Sequence, residues 1–135
     1  MRFFFPLAAL ALTAGCVATP QETAREQARQ DRDLARLDRD LRGWSPGRPQ
    51  TCVQTRNANV RIYGDTLVYD DGGRRYLTKT GGGCFGLQRD DIIVTQSFMS
   101  QMCRGDIVRT VDRTAGFPSG ACSFGDFVPY TKNGR

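Results

Sequence analysis

Four cysteines, Cys52, Cys84, Cys103 and Cys122, are spread through residues 50–135, a stretch too short to build a deep apolar core by itself. Cross-links are the usual remedy in so small a domain, and disulfides persist in oxidising compartments. An even set of four suggests two disulfides. A zinc site is disfavoured, because the chain has no histidine and no Cys-x-x-Cys pair. Four cysteines allow three connectivities, and spacing alone does not choose among them. The preferred expectation joins Cys84 to Cys103, a corner to the start of a strand, and Cys52 to Cys122, the two ends of the domain. In the chain-entropy model these loops contribute about 3 and about 4.4 kcal/mol.

What lies between the cysteines reads as short strands. Every acid beyond Pro49 is Asp, which favours turns and caps, and none is Glu, which favours helix interiors. Glycine is frequent, and β-branched or aromatic residues fill the runs between turns. Strands are predicted at Cys52–Arg56, Asn59–Tyr63, Thr66–Asp70, Arg74–Lys79, Ile92–Ser97, Asp106–Asp112 and Cys122–Tyr130, with Ser97–Cys103 ambiguous between strand and helical turn. Gly64-Asp65 fits a two-residue hairpin turn with glycine first. Turn signals every ~8–10 residues argue a sandwich or barrel rather than βαβ units. The predicted fold is mainly β, a small antiparallel meander or barrel-like domain stapled by two disulfides. Its expected core is Val60, Ile62, Leu67, Val68, Tyr69, Tyr76, Leu77, Leu87, Ile92, Val94, Ile107, Val111, Phe124 and Phe127.

The fifth cysteine, Cys16, stands apart. It closes an apolar run whose last residues are Leu12-Thr13-Ala14-Gly15. That run is too short for a membrane-spanning helix, which needs about 20 apolar residues, but suits an export signal. Residues 1–15 are therefore expected to be a lipoprotein signal peptide, with Cys16 the lipid-bearing residue after cleavage. The alternative is cleavage by the general signal peptidase and a soluble periplasmic product. Setting Cys16 aside resolves the odd cysteine count. Val17, where an Asp would hold a lipoprotein on the inner membrane, points to the periplasmic face of the outer membrane. Residues 16–49 read as a polar tether, helical or disordered. Residues 20–42 are polar helix formers with one narrow stripe, Leu34, Leu37 and Leu41. The segment 43–49, with two glycines and two prolines, is expected to break the helix and mark the domain boundary.

A formal charge of +5 and a pI near 9.2 permit attraction to an anionic surface or an envelope protein, but no dense basic run suggests nucleic acid. A monomer without cofactor is expected. The absence of histidine removes Ser-His-Asp and Cys-His catalysis, and paired thiols are not nucleophiles. Carboxylate chemistry is left to Asp70, Asp71, Asp90, Asp91, Asp106 or Asp126. Adjacent acids beside turns diverge rather than face each other across a cleft, so turn formation explains them better. The preferred reading is non-enzymatic, with Arg74, Arg75, Tyr76 and Lys79 as a basic-aromatic binding surface on one hairpin. Trp44 is expected to cap the open end of the domain rather than to stack on a ligand.

Several strings carry a resemblance. They are Cys84-Phe85-Gly86-Leu87, then Cys103-Arg104-Gly105-Asp106-Ile107, then Cys122-Ser123-Phe124-Gly125-Asp126-Phe127-Val128-Pro129, preceded by Cys52, Asp70-Asp71 and Tyr76-Leu77. Over residues 50–130 the chain resembles a family of small exported proteobacterial proteins known as a domain of unknown function. That resemblance implies an exported, cysteine-stapled domain and no particular activity. Gly73-Arg74-Arg75-Tyr76 and Thr78-Lys79 also resemble, in part, the loops that lipid-tethered β-barrel inhibitors insert into the lysozyme cleft. An inhibitor of that kind is the first alternative reading, and a carboxylate-dependent hydrolase the second.

Overall fold

A computed structural model describes residues 19–55, 58–97 and 100–134. The expected signal segment and Cys16 lie outside the described residues. The chain runs α1 (Pro20–Asp40), β1 (Trp44–Pro46), β2 (Cys52–Val53), β3 (Asn59–Tyr63), β4 (Thr66–Asp71), β5 (Arg74–Thr80), a 3₁₀ turn (Phe85–Arg89), β6 (Ile92–Gln96), β7 (Met102–Cys103), β8 (Ile107–Val111) and β9 (Pro118–Lys132). One antiparallel sheet, ordered β3-β4-β5-β9-β8-β6, curls into a half-barrel, so the fold is mainly β as the turn spacing predicts. The pair β2-β7 forms a separate two-stranded ribbon.

The 15-residue β9 is the spine of the molecule. Its one edge pairs with β5, while its other edge meets β8 first and β1 at the far end. Phe124 and Phe127 both point into the core, although strict alternation would send residues three apart to opposite faces. A register shift opposite Thr78–Thr80 reconciles them. Gly125 permits it: a Cβ there would stand 2.8 Å from the Lys79 carbonyl oxygen. Around the two rings pack Leu67, Tyr69, Tyr76, Leu87, Val108 and Val53. The Tyr69 hydroxyl is buried with no group in hydrogen-bond geometry among the described residues. Burial pushes its pKa up to about 12, a shift that nearby Thr95 opposes.

Four expected core residues are corrected. Val60, Ile92, Val94 and Ile107 are 39–44% exposed. On β6 the apolar run Ile92-Ile93-Val94 leaves the phase open, and Ile93 is the one turned inward. Its partner strand follows suit, with Val108 buried and Ile107 outside.

The disulfides correct the preferred pairing. Cys52 bonds Cys103 and Cys84 bonds Cys122. Cys52 and Cys103 stand directly opposite in the β2-β7 ladder, with Cα atoms 4.0 Å apart. Cys122 is not the domain's end. It sits within β9 opposite Val108, and the corner after β5 brings Cys84 over it.

Of the two expected states of the tether, the helical one forms over Pro20–Asp40, and local chemistry explains its start. Thr19 and Glu22 make a reciprocal capping box, with Pro20 in the first turn. It is not a free spacer, however. Leu37 is buried against Tyr63 and Val68 on the outer face of the sheet, with Leu41 and Leu77 alongside. The segment expected to mark a domain boundary is likewise part of the sheet, because Trp44, Ser45 and Pro46 pair with Lys132, Thr131 and Tyr130.

Candidate binding site

Alternation along β5 splits the expected basic-aromatic surface. Tyr76 and Thr78 face the core and are buried, while Arg75, Leu77 and Lys79 face the helix side. Arg74 is exposed at the strand's start, and Lys79 borders a different recess with Tyr63, Asp65 and Gln88. The four residues therefore do not form one patch. Apart from Gly73 in the β4-β5 turn, the strings that resembled inhibitor loops lie in a strand.

Arg75 belongs instead to a cluster at the C-terminal end of α1. Asp40, half-buried at the helix end, receives hydrogen bonds from Arg61 and, at 2.8 Å, from the Tyr63 hydroxyl. Arg75 donates to the Asp40 carbonyl, and its Nε meets Asp70 Oδ2 at 3.1 Å. Arg61 reaches the same Asp70 oxygen at 3.1 Å. Cross-strand register explains the grouping, since Arg61 lies opposite Val68, and Asp70 faces both Asn59 and Arg75. Partial burial works to raise the Asp40 pKa, but the Tyr63 hydroxyl, Arg61 and Arg75 outweigh it and hold the carboxyl below its ordinary range. Burial, then the hydrogen bond to Asp40, pushes the Tyr63 phenol up. The Asp40 bond outweighs desolvation and raises Arg61 further.

Above this network stands Trp44. The Arg75 guanidinium lies 4.2 Å from its ring centroid, a cation–π contact that fixes the indole against the sheet. Beside the ring opens a recess of about 340 Å³, lined by Trp44, Asp70, Gly72, Gly73, Thr131 and Lys132. Three separate segments meet there: β1, the β4-β5 turn and the end of β9. Trp44 thus forms the wall of a recess instead of closing an open end.

Of the remaining candidate carboxylates, Asp71 is exposed at the end of β4, and the other four have structural partners. Asp91 is buried, accepting from Ser119 Oγ at 2.5 Å, and Ser119 Oγ lies 2.9 Å from Thr110 Oγ1. Gly86 sits directly over these three oxygens, which a side chain would strike. Asp106 Oδ2 accepts from the Cys103 amide at 2.8 Å. Asp126 pairs with Arg104 at 3.2 Å and Asp90 with Arg113 at 3.8 Å. The strings that carried the family resemblance therefore have physical reasons: a close approach at Gly86, a turn lock at Asp106 and a bulge at Gly125. No family model, curated protein or solved structure matches this chain.

Proposed function

We propose that the chain is an envelope lipoprotein, anchored through Cys16 to the periplasmic face of the outer membrane, and that its half-barrel binds a ligand at the Trp44 recess rather than catalysing a reaction. The apolar N-terminal run ending at Cys16 supports the anchor. Two disulfides suit the oxidising compartment.

The observation that carries the reading is the position of the recess relative to α1. Thr19, which caps the helix, follows Cys16 by three residues, a reach of at most about 11 Å. The helix then runs 21 residues, about 31 Å. Its first half passes the 3₁₀ turn, where Arg29 donates to Gln88 at 2.6 Å and Glu26 shares a recess with exposed Phe85. Its last turn meets the Asp40–Arg61–Arg75 cluster beneath Trp44. A lipid at Cys16 would hold the Phe85 end near the bilayer and present the Trp44 recess to the periplasm. The helix acts as a strut in this reading.

The test is direct. Intact-mass analysis of protein extracted from membranes should show a lipidated Cys16 as the first residue, and Cys16→Ser should move the protein to the soluble periplasmic fraction. An unlipidated mature protein beginning beyond Cys16 would overturn the anchor.

A further inference from the structure

Resting on the reading that the Trp44 recess binds a ligand, we infer that the ligand is a saccharide bearing an acidic substituent. The recess, about 340 Å³, lies at the low end of the ~300–1,000 Å³ range of small-molecule sites. That leaves room for a sugar ring with a substituent.

Its wall is aromatic. An indole offers a flat apolar surface to the C–H face of a pyranose and keeps an N–H for a hydroxyl. The ring is held before any ligand arrives, because Arg75 stacks on it and is itself tied to Asp40 and Asp70. Such preorganisation lowers the ordering cost of binding.

The rest of the lining offers hydrogen bonds of both senses. Asp70 uses Oδ2 for both arginines, and among the described residues its Oδ1 has no partner. The Thr131 hydroxyl and the Lys132 ammonium are likewise without partners among the described residues. An acceptor, a hydroxyl and a cation beside an aromatic wall suit a polyhydroxylated ring. An acyl chain would strand these groups without partners. A bare inorganic anion would leave the indole unused.

The acidic substituent follows from the charge balance. Arg61 and Arg75 are answered by Asp40 and Asp70. Lys132 in the lining has no ion pair among the described residues. An anionic group on the sugar would meet that charge.

The opening is shaped by glycine. A Cβ built at Gly72 or Gly73 meets nothing within 4 Å, so side chains there would enter open space, and Gly73 does not have the positive φ of Gly72. Gly73→Leu should therefore plug the recess without disturbing the fold.

The chain's single tryptophan is the reporter. Emission of the full-length protein is titrated with N-acetylmuramic acid and with N-acetylglucosamine, which differ by one carboxylate-bearing group. Uridine monophosphate and inorganic phosphate serve as contrasts. The expected result is saturable change with the acidic sugar at ~1 mM or below, and about tenfold weaker response to the neutral one. Gly73→Leu should abolish the response, and Lys132→Ala should erase the preference for the acid. Equal affinity for both sugars, or a response unchanged by Gly73→Leu, would overturn the inference. Saturable binding of the nucleotide or phosphate alone, blocked by Gly73→Leu, would overturn the saccharide and leave the recess as a binding site. No saturable response to any of the four probes would overturn both.

Discussion

Arg75 lies 4.2 Å below the ring of Trp44 while its guanidinium holds Asp70 at 3.1 Å. One side chain thereby joins the strand β1, the helix end and the middle of the sheet, and builds the floor of the recess. Arg75 is only 12% exposed, so its removal strands Asp40 and Asp70 with fewer partners. Arg75→Ala should cost about 3 kcal/mol and shift Trp44 emission to the red. Urea unfolding followed by fluorescence reads both. An unchanged emission maximum would mean that Arg75 does not seat the indole.

The same cluster makes helix docking sensitive to acid. The Asp40 carboxyl is held below its ordinary value against partial burial, by Tyr63, Arg61 and Arg75, with Asp70 the other acid in the network. A depressed folded pKa means stabilisation that is complete above the unfolded Asp value of about 3.9 and is lost as pH falls through the lower folded value. Thermal midpoints from pH 5 to pH 2 should drop more steeply in the native chain than in Asp40→Asn. The variant itself should lose about 2 kcal/mol at neutral pH.

Two glycines provide a contrast. Gly86 lies against Asp91, Ser119 and Thr110, whereas a Cβ at Gly73 meets nothing. Gly86→Ala must displace a buried carboxylate and should cost about 3 kcal/mol, while Gly73→Ala should change stability by less than about 1 kcal/mol. Denaturant titration of the two variants decides it, and equal losses would contradict the packing of the 3₁₀ turn.

The disulfides set the remaining stability. Loops of 51 and 38 residues are each worth about 4 kcal/mol in the chain-entropy model. Non-reducing peptide mapping should recover Cys52–Cys103 and Cys84–Cys122 peptides, and Cys52→Ala/Cys103→Ala should lower the denaturant midpoint. Recovery of a Cys84–Cys103 peptide would contradict the β2-β7 ladder.

The hairpins from Asn59 to Lys79 are readable in the sequence, because Gly64-Asp65 and Gly72-Gly73 punctuate runs rich in β-branched and aromatic residues. The phase of β6 is not, since three apolar residues in succession fit either face. The disulfide pairing depends on where β9 runs, and the bulge at Gly125 is visible only once Phe124 and Phe127 are both seen inside. The recess escapes sequence reasoning for a similar reason. Trp44, Gly73 and Lys132 are far apart in the chain and meet only through the β1-β9 and β5-β9 pairings. Adjacent Arg74 and Arg75 read as one basic patch, yet neighbours on a strand point to opposite faces.

The claim that α1 holds the Trp44 recess away from the bilayer has a direct measurement. The lipidated protein is reconstituted in vesicles containing headgroup-quencher lipid, and tryptophan quenching is compared for the native chain and for the double variant Trp44→Phe/Phe85→Trp. Glu26, beside Phe85, and Asp40, at the helix end beneath Trp44, are 14 residues apart, about 21 Å along the helix axis. Native Trp44 should be quenched no more than in quencher-free vesicles, and the indole introduced by Phe85→Trp should be quenched strongly. Quenching of Trp44 equal to or greater than that of the introduced indole would contradict the account.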